Sequence, residues 1–171
     1  MTVISNTSPL RYLIAVGLAD LVANLFGAVL IPRAVEGELL DPHTPPSVQQ
    51  WMARRPEWIE TRDVHLPPDL ELIGQLHPGE AEAIQLALEL RAEVLVMDEL
   101  RGRQLATARG LTVIGVLGML RESYRQSLIQ NPLALAARLR SNGFRCARGL
   151  MRRFGQQIQE VERVRLQKGD Q

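Results

Sequence analysis

Short runs of branched apolar residues recur between segments of helical periodicity: Val3-Ile4-Ser5, Ala28-Val29-Leu30-Ile31, Val94-Leu95-Val96-Met97 and Thr112-Val113-Ile114. A strand that is apolar at nearly every position, rather than at alternate ones, has both faces covered. Such strands alternating with helices predict an α/β protein, a three-layer α/β/α fold around a mainly parallel central sheet. Between the strands, Pro9 opens a helix with apolar positions Leu10, Leu13, Ile14, Val16 and Leu18, and a second short helix over 18–26 closes at Gly27. Pro32 suits the first position of a helix running to about Leu40. A short helix is expected over 48–54, an edge strand over 58–62 and a firm helix over 80–90. Further helices follow over 100–109, capped by Gly110, over about 119–127 and over 133–140, with a last one beginning near Arg145. From Gly155 onward the sequence is polar and Gln-rich. The expected organisation is one domain over 1–155 and a polar tail over 156–171, either an exposed helix or frayed.

In a parallel sheet, ligands bind outside the carboxyl ends of the strands. Asn6, Glu38, Glu80 and Asp98 are each expected where a strand hands over to a helix, and therefore along that edge. Acidic groups gathered there without a neighbouring base suit a hard divalent cation, which prefers oxygen ligands. Each position also has a plainer role. Asn6 is a good helix cap or turn residue, Glu80 suits the positive end of a helix, and Asp98 suits an N-cap. Glu80 falls on the apolar stripe of its helix, however, and a buried carboxylate needs a partner. Glu99 offers an alternative carboxylate. Glu36 lies two positions from Glu38, so a small register shift would exchange their roles. Glu82, one step off the stripe, is expected in solvent. Arg101 and Arg103 border the cleft and could meet phosphate, or simply occupy an exposed helix face. Trp51 and Trp58 are expected to pack a helix onto the sheet.

Other chemistries find little support. His43, His65 and His77 are scattered without zinc-like spacing and are expected in loops or on the surface. The single cysteine, Cys146, allows no internal disulfide, which fits a reducing compartment. Ser5 and Ser8 lack the Gly-x-Ser-x-Gly setting of a hydrolase nucleophile. Gly115-Val116-Leu117-Gly118 lacks the Lys-Ser/Thr ending of a phosphate loop. No signal-peptide pattern opens the chain and no apolar run reaches the ~20 residues of a membrane span, so a soluble cytoplasmic protein without membrane association is expected.

The net charge of +1 conceals a division. Residues 1–120 carry 15 acidic and 9 basic side chains, whereas residues 121–171 carry 4 and 11. Nineteen of the 20 basic residues are Arg, the side chain best shaped for bidentate contact with phosphate or carboxylate. The basic end is either a solvated surface, a phosphate contact or a seat for an acidic partner.

Five motifs in order carry a resemblance to the PIN domain, and more closely to an uncharacterised PIN-like branch. They are Ser5-Asn6-Thr7-Ser8-Pro9-Leu10, the Ile31-Pro32-x-x-Val35-x-x-Glu38 segment, the helix start Gly79-Glu80-Ala81-Glu82-Ala83-Ile84, the acidic pair Asp98-Glu99, and Val113-Ile114-Gly115-Val116-Leu117-Gly118. The segment 139–145 also resembles that branch, and the match spans roughly residues 2–155. The resemblance implies a Mg²⁺- or Mn²⁺-dependent nuclease, a hydrolase in which ions assist attack of water on an RNA phosphodiester. It implies that Asn6, Glu38, Glu80 and Asp98 hold the metal, with Glu38, Glu80 and Asp98 catalytic and Ser8 or Thr7 a supporting hydroxyl near the first; Arg101 and Arg103 stay candidate nucleic-acid contacts from their place beside the cleft alone. It further implies RNA as substrate and the role of toxin in a toxin–antitoxin pair, with a small antitoxin protein as partner. Asn6 departs from the Asp usual at its position. A non-catalytic module binding RNA or a protein partner is therefore a second reading, and a homo-oligomeric scaffold with a vestigial pocket a third. Apolar helices near 10–26 and 119–139 could supply a homodimer surface.

Overall fold

The computed structural model describes residues 1–169, which fall into two compact units, 1–116 and 117 onward. The first unit holds a five-stranded, all-parallel sheet in the order β3-β2-β1-β4-β5. Its elements are β1 (Val3–Ser5), α1 (Thr7–Ala15), α2 (Asp20–Phe26), β2 (Val29–Pro32), α3 (Arg33–Leu39), α4 (Pro46–Ala53), β3 (Ile59–Arg62), α5 (Leu70–Gln75), α6 (Pro78–Glu89), β4 (Val94–Val96), α7 (Leu100–Ala108) and β5 (Val113–Ile114). The architecture is the three-layer α/β/α fold that the alternation of elements implies. β1 is central: Ile4 lies opposite Leu30 of β2 on one side and Leu95 of β4 on the other. Val3, Ile4, Leu95 and Val96 are almost wholly buried, as a strand covered on both faces requires.

The packing that supports the carboxyl edge is dominated by α6. Ala81, Ala83, Ile84, Leu86 and Ala87 are buried and join Ile4, Leu95, Met97 and Leu105 in one cluster. The alanines bring the helix close to the strands, and the larger residues fill the space between. Burying a side chain such as Ile84 contributes about 2 kcal/mol against leaving it in water. α5 was not foreseen. It is started by Asp69, whose Oδ1 accepts the Leu72 N–H at 2.9 Å, shortly after Pro67-Pro68 ends the preceding segment. Trp51 and Trp58 pack on each other, ring centroids 5.7 Å apart.

The second unit contains α8, which starts at the boundary (Val116–Arg125), α9 (Pro132–Ser141) and α10 (Arg148–Gly169). α10 runs through residue 155 without a break, and Phe154 and Ile158, one helical turn apart, are both buried. Residues 156–169 are thus helical, while Asp170 and Gln171 of the expected tail lie outside the described residues. The Arg165 guanidinium sits 4.3 Å from the centre of the Tyr124 ring, and the Tyr124 hydroxyl donates to Glu162 Oε1 at 3.2 Å. Among the described residues no helix is long and apolar enough to cross a membrane.

Candidate functional site

The strand order reverses its direction of growth between β1 and β4. This is a topological switch point, where crossovers leave to opposite sides and open a crevice at the carboxyl edge. Asn6 follows β1 directly, Asp98 and Glu99 follow β4, and the Asn6 N–H donates to the Val96 carbonyl at 3.1 Å. A cavity of about 640 Å³ opens here, lined by Asn6, Thr7, Ser8, Glu38, Glu80 and Glu99 together with Arg11, Asp41, His43, Thr44, His77 and Pro78. The fold therefore gathers Asn6, Glu38 and Glu80 from three separated stretches of sequence.

Two of these carboxylates arrive by routes other than the expected strand-to-helix step. Glu38 lies near the end of α3, and Glu80 in the first turn of α6, which follows α5 rather than a strand. Glu38 Oε1 accepts the Gly79 N–H at 2.8 Å, and its Oε2 accepts the Thr7 hydroxyl. Only glycine leaves room for this arrangement, because a Cβ on Gly79 would lie 2.6 Å from both Glu38 oxygens. Glu80 Oε2 accepts the His77 N–H at 3.2 Å, closing the first turn of α6. Both carboxylates thus meet the positive end of that helix. Burial pushes the Glu80 carboxyl above its ordinary range, and the charges of Glu99 and Glu38 add to the rise against the His77 N–H. Glu36 takes no part: it is held by Arg33, Arg55 and Thr61. The choice between Glu36 and Glu38 is settled in favour of Glu38 as the cavity residue.

Asp98 is the most perturbed acid. Its Oδ1 accepts the Val116 N–H at 3.0 Å, and its Oδ2 is shut off from solvent without a partner among the described residues. Burial pushes its carboxyl up from 3.8 to about 7; the neighbouring Glu99 charge raises it further, while the Val116 N–H and Arg103 oppose the rise. The residue keeps some exposed surface, but its carboxyl does not line the cavity. A Cβ on Gly115 would stand 2.6 Å from Oδ1, so this carboxylate too is seated against a glycine. The N-cap of α7 is Glu99, not Asp98.

Asn6 stands at the N-cap position of α1 without a side-chain capping bond. Its Nδ2 donates to Glu99 Oε2 at 3.1 Å, and its buried Oδ1 has no partner. Two buried acceptors, Asn6 Oδ1 and Asp98 Oδ2, therefore lack donors at an edge rich in carboxylates. A cation surrounded by oxygen ligands would supply what they lack. As placed, no three His, Cys, Asp or Glu side chains among the described residues converge on one point. An ion that keeps several waters and takes only one or two carboxylates directly, as Mg²⁺ does, needs no such cluster. The donor set fits such an ion.

Several placements differ from what the sequence suggested. Glu82 is half-buried and accepts the Ala34 N–H at 2.9 Å, so it secures the start of α3 rather than facing solvent. Arg103 donates to the Met97 carbonyl at 2.7 Å, and Arg101 is tied to Gln75; neither lines the cavity. Arg11, which sequence reasoning passed over, does line it. The signal was available: Arg11 lies one helical turn beyond Thr7. His43, His65 and His77 are all exposed, and His43 and His77 border the cavity.

A family model described as a PIN domain matches residues 2–160. The fold is similar to that of a PilT N-terminus domain protein from the hyperthermophilic archaeon Sulfolobus solfataricus, at 21% identity and a TM-score of 0.53. That alignment covers 72% of this chain and 93% of the archaeal one. A search of curated proteins finds no significant match.

Proposed function

The chain belongs to the PIN-domain family, and from that premise we propose that it is a Mg²⁺- or Mn²⁺-dependent endoribonuclease, the toxin of a toxin–antitoxin pair. The observation that carries this reading is the pair of buried acceptors without donors, Asn6 Oδ1 and Asp98 Oδ2, at the switch point beside Glu38, Glu80 and Glu99. When bound, a divalent cation supplies an acidified water and neutralises charge on the scissile phosphate. The protein's own groups do the rest. Glu38 is held by Thr7 and Gly79, and Glu80 by the start of α6, so both carboxylates are positioned before any ligand arrives. Asp98 is seated by the Val116 N–H, and its raised pKa gives it a proton to lose on ion binding. Arg11 lines the cavity, and in this reading its guanidinium would meet a phosphate oxygen. RNA as the substrate is supported by the arginines of 138–153, where no acidic residue lies between Glu122 and Glu160.

The test is cleavage of a mixed single-stranded RNA with Mn²⁺ and with chelator. Asp98→Asn and Glu38→Gln should each lower Mn²⁺-dependent cleavage by about 100-fold or more, at or beyond what loss of even an outer-shell partner of a metal costs. Cleavage that survives both substitutions would overturn the reading. The amide at position 6 favours one alternative, a module that binds RNA or a protein partner without cutting; RNA retention with no Mn²⁺ binding would establish it. The toxin role predicts growth arrest on induction, relieved by a small protein encoded beside this chain.

A further inference from the structure

Two helix N-cap residues in this molecule turn away from their own helices and toward each other. Asn6 caps α1 by position and Glu99 caps α7 by position, yet neither side chain bonds to its helix. An Asn cap ordinarily contributes about 1 kcal/mol, so something else holds these groups. That something is the 3.1 Å hydrogen bond from Asn6 Nδ2 to Glu99 Oε2, which joins residues 93 apart across the ends of β1 and β4. The strand register fixes the approach, since Ser5 lies opposite Val96. Asn6 is 1% exposed, so its amide has little freedom to turn elsewhere.

We propose that Glu99 supplies the carboxylate that position 6 lacks, with Asn6 as the positioning residue that holds Glu99 toward the acidic cavity. The pair carries one negative charge between them, and the metal site is complete with an amide at 6 because the acid has moved to 99. This inference rests on the metal-dependent reading above. Glu99 lines the cavity with Glu38 and Glu80, and its charge acts on both Glu80 and Asp98. With its nitrogen committed to Glu99, the Asn6 amide presents a buried, unpartnered oxygen, and neutral amide oxygens are ordinary ligands of hard cations. Only an amide can play this part. An Asp at 6 with Glu99 unchanged would set two carboxylates about 3 Å apart, a separation at which both cannot readily stay ionised. The residue types at 6 and 99 are therefore coupled, and Asn6 is the partner of a relocated acid rather than the scar of a lost one.

The experiment is a charge exchange. Mn²⁺ binding is measured by calorimetry, and thermal unfolding without metal, for the native chain, Glu99→Gln, Asn6→Asp and the double variant Asn6→Asp/Glu99→Gln. Glu60→Gln, an exposed strand position paired with Arg62, controls for loss of a distant charge. Glu99→Gln should weaken Mn²⁺ binding about tenfold or more while Glu60→Gln leaves it unchanged. The double variant restores one charge and one amide donor, and should bind within about threefold of the native chain. Without metal, Asn6→Asp alone should melt about 2–4 °C lower, and the double variant should recover that loss. If Glu99→Gln binds Mn²⁺ as the native chain does, the proposal fails while the nuclease reading stands on Glu38, Glu80 and Asp98. If Glu99→Gln loses binding and the double variant recovers neither binding nor stability, the pairing of 6 with 99 is overturned. If the native chain binds no Mn²⁺, the metal reading and this assignment fall together, and only the stability coupling survives.

Discussion

Residues 1–116 and the unit that follows solve the same electrostatic problem in opposite directions. The first has an excess of acids, and the ion pairs of its arginines lie away from the cavity: Arg33 and Arg55 on Glu36, Arg109 on Asp69 and Glu71. Glu38, Glu80, Asp98 and Glu99 are left without an ion-pair partner among the described residues. The second unit has an excess of arginines and ties Glu122 to Arg125 and Glu160 to Arg163. Arg138, Arg140, Arg145, Arg148, Arg152 and Arg153 are left without a carboxylate in ion-pair reach among the described residues. In each unit part of the minority charge is paired locally, and much of the surplus has no ion-pair partner among the described residues. The near-zero total charge is thus the sum of two purposeful excesses, one suited to a cation and the other to a polyanion.

The largest effect should come from pH, because above about pH 4.5 it acts mainly on the buried acids of the first unit. Asp98 carries a folded-state pKa of about 7 against 3.8 unfolded, so the folded chain binds the proton more tightly. The contribution of Asp98 to stability is therefore fully present below about pH 4 and is lost as pH rises to about 7; the whole span is worth up to about 4 kcal/mol. Glu80, also raised, adds in the same direction. Glu122, held at about 2 by Arg125, acts oppositely but only below about pH 4.5. Urea unfolding of the metal-free chain between pH 5 and 8 should show the midpoint falling with pH, and Asp98→Asn should flatten most of that slope. An unchanged slope in Asp98→Asn would mean that this carboxyl is not the buried acid described.

The next effect sharpens the comparison by disturbing an acid without removing it. Gly79→Ala places a Cβ where the Glu38 oxygens now stand, 2.6 Å away, and displaces the carboxylate from the Gly79 N–H. Mn²⁺ affinity should fall about 10- to 100-fold, as when a positioning partner of a metal ligand is lost. The fold should survive, because alanine is favoured over glycine within a helix by up to about 1 kcal/mol. A variant that binds Mn²⁺ normally would show that Glu38 can relocate and is not held in place by this contact.

How far these two regions were legible in sequence follows from how local each signal is. β1, β2, β4 and β5 declare themselves because a doubly covered strand must be apolar along its length; Asn6 and Asp98 follow from the ends of β1 and β4, whereas Glu38 and Glu80 reach the edge on helices. Glu82 was misjudged because its helix pattern speaks only of its own helix; its partner, the Ala34 N–H, arrives through the packing of α3 on α6. Asn6 has a side chain able to cap α1, and nothing local reveals that Glu99 competes for it from across the sheet. The final helix was legible after all: Phe154 and Ile158 lie one turn apart in a stretch whose Gln-rich remainder drew attention away.

The surplus of the second unit can be tested by salt. Each phosphate contact to a single strand contributes about 0.7 to the slope of log affinity against log salt. Arg140→Gln/Arg145→Gln/Arg148→Gln should therefore flatten the slope for a single-stranded RNA by about 2. That is a loss of roughly 16-fold between the affinity changes of native and variant chains on going from 50 to 200 mM salt. Mn²⁺ affinity should not move. An unchanged slope, with binding instead lost toward an acidic peptide, would assign this surface to a protein partner.

The smallest effect separates two arginines that the sequence treats alike. Arg101 is exposed and held by Gln75 and Gln104, so Arg101→Gln should change stability by no more than about 0.5 kcal/mol and the RNA salt slope by at most about 0.7. Arg103 is half-buried, donates to the Met97 carbonyl and lies close enough to Asp98 to lower its pKa. Arg103→Gln should leave that carbonyl without its donor, cost about 1–3 kcal/mol, and raise the Asp98 pKa further, moving the pH midpoint of stability upward. The two substitutions remove the same charge two residues apart. If their effects on stability are equal, then charge alone matters there and the hydrogen bond to Met97 contributes nothing; a difference of 1 kcal/mol or more assigns Arg103 to the support of the acidic edge and Arg101 to the surface.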